Sequence, residues 1–572
     1  MAVKVRVPMM VQDPDIAPGM RAIEEFDIKL EDFFLDGPVT RQVAILDFDP
    51  VSGELTAGVP YLSPLKEGQL GRYKLKRTRE GYDLDDLDFF KVSVFATVLR
   101  TMYLFQEQDA LGRPLKWAFP GNQLLVIPRA GMWANAYYER ASQSLQFFFF
   151  DGNRKPGEKI YTCLSRDIIA HETAHAILDG IAPDLYNAVT PQALALHEAV
   201  ADMTALLMAF RSHNLRQSVL EKTAGSIKDS TAFSSVAEQF GRARDPGGRS
   251  IALRNLLNRK TLDPDDISRD ENGRPNRVSR QEPHLLSEVL SGALYTVMVK
   301  IHESLKKKYA ASSGQSEYSV SGRALANGAN QFKRMIFRAL DYLPPGEISF
   351  ADYARAIIAA DRAAYPDHSE ARDWIGEEFA KRKIIPSRKE LRVRTNFEYA
   401  PLQKIDLQAL VDSDWVAYQF AEKNRRFLKI PPKVSFYVRP RLDVTKVYYR
   451  PDGPHESREC LFKVSWQHEE PNPDSFRSRF PTQRQIVLGT TLAIDWDTKM
   501  VRALLSTAPG GDESEADQQL KLDRDEWLQI LAGEGLLQIG AGGGASPTGI
   551  QVVVTDGVMR VRGTAQMLHI IS

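Results

Sequence analysis

Hydrophobic and polar positions change texture twice along the 572-residue chain. Up to residue 164, short apolar runs bounded by Gly, Pro and Asp (RQVAILDFD, GELTAGVPYL, NQLLVIPRA) predict strands. One stretch interrupts them: FFKVSVFATVLRTMYLFQEQ, Phe89 to Gln108, is apolar over a broad face and closed by DALGRP, which predicts a helix. Lys91 and Arg100 exclude that helix from a bilayer. From Ser165 the apolar spacing becomes helical and stays so to about residue 385. Ser165 is placed to cap a helix containing IIAHETAHAILDG, with Gly180 as its C-terminal stop. Thr190 and Pro191 then read as N-cap and first-turn proline of LALHEAVADMTALLMAF. Further helices are predicted in SEVLSGALYTVMVKIHESLKKK, ADYARAIIAADRAAY and EARDWIGEEFAKRK.

Beyond residue 386 the runs shorten again: KVSFYVRPRL, KVYYR, LFKVSWQ, RQIVLGTTLAIDW, MVRALLST and IQVVVTDGVMRVRG predict strands. APGGDESEADQQ and GAGGGASPTG read as flexible connections. The expectation is an α+β protein in three parts: a β-rich region 1–164, a helical region 165–385, and a separate β-rich domain 386–572.

Composition narrows the picture mainly by exclusion. Lys+Arg and Asp+Glu both total 74, so no net field recruits nucleic acid, an anionic membrane or an acidic substrate. The N-terminus lacks a signal-peptide apolar core, and the longest uncharged run, Gly535 to Thr555, is broken by glycines and a proline. Two distant cysteines, Cys163 and Cys460, argue against a disulfide framework and fit a reducing compartment. The expected setting is cytoplasmic and soluble, with no nucleic-acid or membrane partner.

The chemistry-bearing stretch is His-Glu-x-x-His. On a helix, positions i and i+4 stand one above the other, so His171 and His175 can place imidazole nitrogens on one metal ion. Glu172 projects about 100° away around the axis, beside the metal rather than on it, where a carboxylate can accept a proton from water. The competing reading is a buried amphipathic helix that carries two histidines. A catalytic zinc site ordinarily needs a third protein ligand, and HEAVAD on the next helix offers Glu198, with Asp202 four residues on. Two carboxylates on one helix face are most simply a solvated surface, but AVADMTALLMAF is too apolar for them to be buried without partners. Glu198 is therefore the expected third ligand, and Asp202 the acceptor for the spare N–H of a liganding histidine.

With HExxH on one helix and ExxxD on the next, the chain resembles the thermolysin-like zinc metallopeptidases over roughly residues 85 to 385. The resemblance implies a two-lobed peptidase, its active site between a β-rich N-terminal lobe and a helical lobe. NAYYERASQSLQFFFFDG is similar to the family's edge-strand segment, in which Asn135 and the Ala136 backbone would hold a peptide in extended form. Tyr186, eleven residues after His175, corresponds to an oxyanion-stabilising tyrosine, and Arg254 in ALRNLL to an arginine that binds a substrate carbonyl. PHLLSEVLSGALY places His284 as the second, non-ligand catalytic histidine, and Ile168 and Leu253 fall where an apolar pocket is expected. The implied activity is zinc-dependent endopeptidase action on a peptide or protein substrate, with Glu172 as general base and one Zn2+ as cofactor. No acidic exopeptidase motif supports an aminopeptidase.

Three positions depart from the family. His197 stands where asparagine is common and admits a second-layer, surrogate-ligand or neutral role. Ser279 replaces the acidic residue that orients the catalytic histidine, with Glu282 as a candidate substitute. Ala209 replaces a carboxylate of the family's paired calcium site, so the double calcium site is expected to be absent although Asp167 matches one of its ligands. The alternative to an endopeptidase is a catalytically silent or narrowly specific zinc-binding scaffold or effector. Because no pro-segment is apparent, the region after residue 386 is a candidate for restricting access, in which case its deletion should raise activity; non-classical export is the rival explanation.

Overall fold

The computed structural model describes the chain except for residues 1–2, 14–22, 31–32, 67, 80, 154–156, 187, 189, 230–232, 238–240, 242–253, 271–272, 451–452, 477–478, 509–514, 538–550 and 563–572. Leu253 and GAGGGASPTG lie outside the described residues. The architecture is α+β, as the apolar patterning predicts.

Two four-stranded sheets, with two-stranded pairs at Arg77–Thr78/Gly81–Tyr82 and Phe149–Asp151/Lys159–Tyr161, build the described N-terminal region. One holds Ile23–Leu30, Val3–Met10, Gly71–Tyr73 and Tyr61–Leu62; the other holds Val43–Ile45, Leu124–Ile127, Ser144–Phe147 and Ala136–Glu139, in those spatial orders. Ala136–Glu139 is the edge of the second sheet and pairs antiparallel with Ser144–Phe147. The GELTAGVPYL run is strand only at Tyr61–Leu62. The interrupting helix, α1, spans Leu87–Gln106, with the Asp86 side chain accepting from Asp88 N at its start.

The helical region follows with α2 (Arg166–Ile181) and α3 (Pro191–Arg211), which pack side by side through their buried faces. Ser165 and Thr190 occupy the N-cap positions, but neither side chain makes a cap hydrogen bond. Gly180 is not the stop: α2 continues to Ile181, and a Cβ at Gly180 would lie 2.0 Å from the Lys116 carbonyl oxygen, so close backbone approach requires the glycine. By length and composition α3 could cross a membrane, yet its most apolar window is entirely buried inside the protein. Next come α4 (Pro283–Ser313), α5 (Glu317–Tyr342), α6 (Phe350–Ala364) and α7 (Glu370–Lys381). α5 is not among the helices expected from the sequence, although its buried Val320, Ala324, Leu325, Phe332 and Ile336 recur at helical spacing.

The C-terminal region is an eight-stranded sheet led by long antiparallel strands Arg441–Arg450, Gly453–Pro471 and Gln483–Asp495. It is less purely β than predicted. Ala400–Gln403, Leu407–Asp412 and Asp414–Lys423 are short helices, the last two capped by Asp406 and Ser413. The described end of APGGDESEADQQ belongs to a further helix, α8 (Glu515–Gly533).

Nor does packing stop at residue 386. Val444, Leu461, Ala493, Ala503 and Leu505 share one buried core with α1 to α6. A chain of buried charges crosses the same boundary: Asp341 meets Arg113 at 2.7 Å and Lys446 at 3.0 Å, and Lys446 meets Glu459 at 2.7 Å. Glu459 also accepts from Tyr342 Oη at 2.8 Å and Arg502 at 3.0 Å. Burial opposes the charges on Asp341 and Glu459, but these cations hold both carboxyls below their ordinary range.

Candidate metal centre

Side-by-side packing of α2 and α3 brings together the residues that the sequence separates. His171 Nε2 and His175 Nε2 are 3.1 Å apart; Glu198 Oε2 is 3.4 Å from the first and Glu198 Oε1 is 3.3 Å from the second. Bonds of 2.0–2.1 Å to a tetrahedral ion put neighbouring ligand atoms about 3.4 Å apart, so these donors are spaced as one such ion would space them. Glu198 is fully buried, and its Oε1 makes no hydrogen bond. That oxygen faces the His175 nitrogen without bonding to it, and a cation between them would satisfy both. His171, Glu172 and His175 also lie within 4.8 Å of one another through their ligand atoms and could hold a metal ion. Glu198 thus stands within 3.4 Å of both imidazoles of that group.

The far nitrogen of each histidine is held differently. Asp202 Oδ1 is 3.1 Å from His171 Nδ1, which makes Nδ1 the donor and leaves Nε2 its lone pair. Behind His175 stands His197, its Nδ1 2.5 Å from His175 Nδ1. Their planes differ by 21° with ring centres 4.7 Å apart, so with so short a nitrogen contact the rings meet edge to edge. An in-plane N–H···N bond donated by His175 again leaves Nε2 free for a metal. His197 is buried and its Nε2 lacks a partner, which places it behind a ligand and not among the three converging donors.

Electrostatics in the metal-free site follow from burial and these contacts. Burial works against a charged His171, but Asp202 and Glu198 win and push it up to about 10. Burial lowers His175, and lowers His197 still further with His175 beside it. Burial would raise Glu198, yet Arg254 and the histidines hold it well below its ordinary value. Burial raises Glu172 to about 8, outweighing the opposing charge of His171. That is the range in which a carboxylate can both take and return a proton near neutrality.

Arg254 is engaged with the centre itself. Nη2 donates to Glu198 Oε2 at 2.5 Å, Nη1 to Asp202 Oδ1 at 2.7 Å. Nη2 also lies 3.2 Å from His284 Nδ1. Arginine only donates, so this contact makes Nδ1 the acceptor and puts the His284 proton on Nε2. His284, in the first turn of α4, is thus a candidate hydrogen-bond donor at the rim. Glu282 does not take over the orienting role: it is exposed at the α4 N-cap, and the groups against His284 Nδ1 are Arg254 and, at 3.7 Å, Glu198. Ser279 Oγ instead accepts from Gln281 N.

The edge strand seals the other side. Tyr138 N donates to Glu172 Oε2 at 3.1 Å, Ala136 N to Asn135 Oδ1 at 2.8 Å, and Arg140 N to Tyr186 Oη at 3.2 Å. Tyr186 closes the short helix Pro183–Tyr186 and packs against Tyr138, His197 and the Arg140 guanidinium. Tyr138 and Arg140 were not singled out in the sequence, because they act through backbone N–H groups that residue identity does not reveal. Ile168 lies buried in the first turn of α2. At the calcium-related positions, Asp167 is paired with Arg166 and accepts from Ala237 N at 3.3 Å, while Ala209 is buried in the apolar core. No protein-family model and no curated protein matches the chain.

Proposed function

We propose that the protein is a zinc endopeptidase of thermolysin-like two-lobed architecture. The observation that carries this reading is the convergence of His171 Nε2, His175 Nε2 and Glu198 at 3.1–3.4 Å with Glu172 alongside. The donor set of two imidazoles and one carboxylate suits zinc and leaves one tetrahedral position open. The chemistry that zinc supplies there is acidification of water and polarisation of the scissile carbonyl. Glu172 takes the proton and returns it to the leaving amine, held in place by Tyr138 N. His284 donates from Nε2 to the oxyanion, and Tyr186 joins it once its hydroxyl leaves Arg140 N. Asn135 and Ala136 bind the substrate backbone as an added strand, which requires the Asn135–Ala136 contact to open. Arg254 fixes Glu198, Asp202 and His284; binding a substrate carbonyl would use the same guanidinium.

A zinc-binding scaffold is the second reading, supported by that closure: Glu172, Asn135 and Tyr186 all spend hydrogen-bonding capacity on the edge strand. Metal content and casein cleavage by wild type and Glu172→Gln decide between them. About one zinc per chain in both, with cleavage lost only in the variant, is the expected result. Zinc in both with cleavage in neither overturns the enzyme reading and leaves the scaffold.

A further inference from the structure

The C-terminal region reaches the candidate centre through one helix. On α8, Asp523 is 1% exposed and accepts from Gln192 Nε2 at 3.1 Å in the first turn of α3. The same carboxylate lies 3.5 Å from Arg280 Nη1, four residues before His284. One turn further along α8, Glu526 accepts from Gln281 Nε2 at 2.9 Å. Leu194 of α3, one turn before Glu198, is buried in a cluster otherwise formed by Phe476, Trp527, Leu528, Leu531, Leu537, Val552 and Met559 of the C-terminal region.

The two segments that α8 grips are those that carry Glu198 and His284. They are remote in sequence, and the cap of α4 makes no side-chain hydrogen bond of its own at Glu282. The turn Arg280–Gln281 therefore takes its anchorage from α8. Beside α8 a cavity of about 410 Å³ is lined by Arg524 and Leu528 and also by Arg140, whose N–H engages Tyr186.

We propose that the C-terminal region is a positioning part of the active site, α8 fixing His284 relative to Glu198 through Asp523 and Glu526. The proposal rests on the reading of His284 as an oxyanion donor. It assigns residues 386–572 a constructive role instead of an inhibitory one. Asp523 and Glu526 touch no reacting atom; they act through Arg280 and Gln281.

The test is a double-mutant cycle in the full-length chain, pairing Asp523→Ala/Glu526→Ala with His284→Ala. Zinc content is expected to stay at the wild-type value, since no ligand is altered. Misplacing His284 should lower kcat on a casein-derived peptide about ten-fold in the wild-type background and less than two-fold once His284 is alanine. Asp523→Asn, which still accepts from Gln192 but gives up the charge facing Arg280, should fall between. Equal losses in both backgrounds, or no loss, overturn the proposal while leaving the peptidase reading intact. Should the wild type bind zinc and cleave nothing, the peptidase reading fails instead. The 13C-histidine spectrum of the zinc-loaded chain then decides positioning: the α8 variant must shift the His284 ring signal and leave that of His302 in place, and an unmoved His284 signal overturns it.

Discussion

The helix pair α2–α3 and the C-terminal region are both buried around charged groups, but they are held in opposite ways. At the helix pair, His171, His175 and Glu198 from two consecutive helices converge on one spot at 3.1–3.4 Å, with Arg254 as the cation on Glu198. Across the C-terminal boundary, Asp341, Lys446, Glu459 and Arg502 come from distant segments and pair carboxylate against cation at 2.7–3.0 Å. The difference teaches where to look for chemistry: alternating cations and carboxylates hold a fold together, whereas imidazoles and a carboxylate that converge on one point could take up a metal ion.

The largest break in this comparison is removal of residues 386–572. Because that region supplies part of the main core, the truncated chain is expected to aggregate, not to gain activity. A soluble, cooperatively melting fragment of residues 1–385 that cleaves casein faster than the full chain would show the boundary to be a hinge after all. Next in size is Glu459→Gln, which strips the charge between Lys446 and Arg502 and should cost about 3–5 kcal/mol in urea unfolding, with zinc content unchanged. A loss under about 1 kcal/mol would mean that water reaches the network.

Substitutions behind the metal ligands should do the reverse, altering binding more than stability. His197→Leu removes the acceptor for His175 Nδ1–H and is expected to weaken zinc binding about 10–100-fold by chelator competition. His197→Asn, which can still accept, should recover most of that affinity; equal weakening in both would reduce His197 to a packing residue. The effect of pH is of similar size. With His171 pushed up to about 10 in the metal-free protein, its Nε2 must shed a proton to bind zinc, so apparent affinity should rise about ten-fold per pH unit from 6 to 8. The sign for metal-free stability is opposite: a raised folded-state value contributes below the unfolded value of about 6.5 and is lost as pH climbs through about 10. Zinc affinity independent of pH would remove the charged His171 from the account.

The positions that α2 and α3 bring together were legible because helical geometry is short-ranged: i, i+4 fixes His171 over His175 and Glu198 over Asp202 without knowledge of the remaining chain. The neighbour of His197 was not, since three readings stayed open until the two rings were seen edge to edge. Arg254 was read as facing substrate; its pairing with Glu198 and Asp202 was not legible, being set by which carboxylates the tertiary fold buries nearby. α5 carries its apolar spacing through serines and glycines, Gly322 and Gly328 among them, which weaken the local helical signal. The strands after residue 386 were largely legible as strands, but their attachment was not: Lys446 and Glu459 look like surface charges until Asp341 and Arg502 arrive from elsewhere.

The capped edge strand has a consequence for the protein's life in a crowded solution. A strand that ends a sheet exposes backbone donors on which any other extended chain can nucleate, and that is a route to clumping. Here Asn135, Glu172 and Tyr186 occupy the donors of Ala136, Tyr138 and Arg140. The groups proposed to process a peptide thus also bar casual strand partners, and admission falls to chains that can outbid three hydrogen bonds at once.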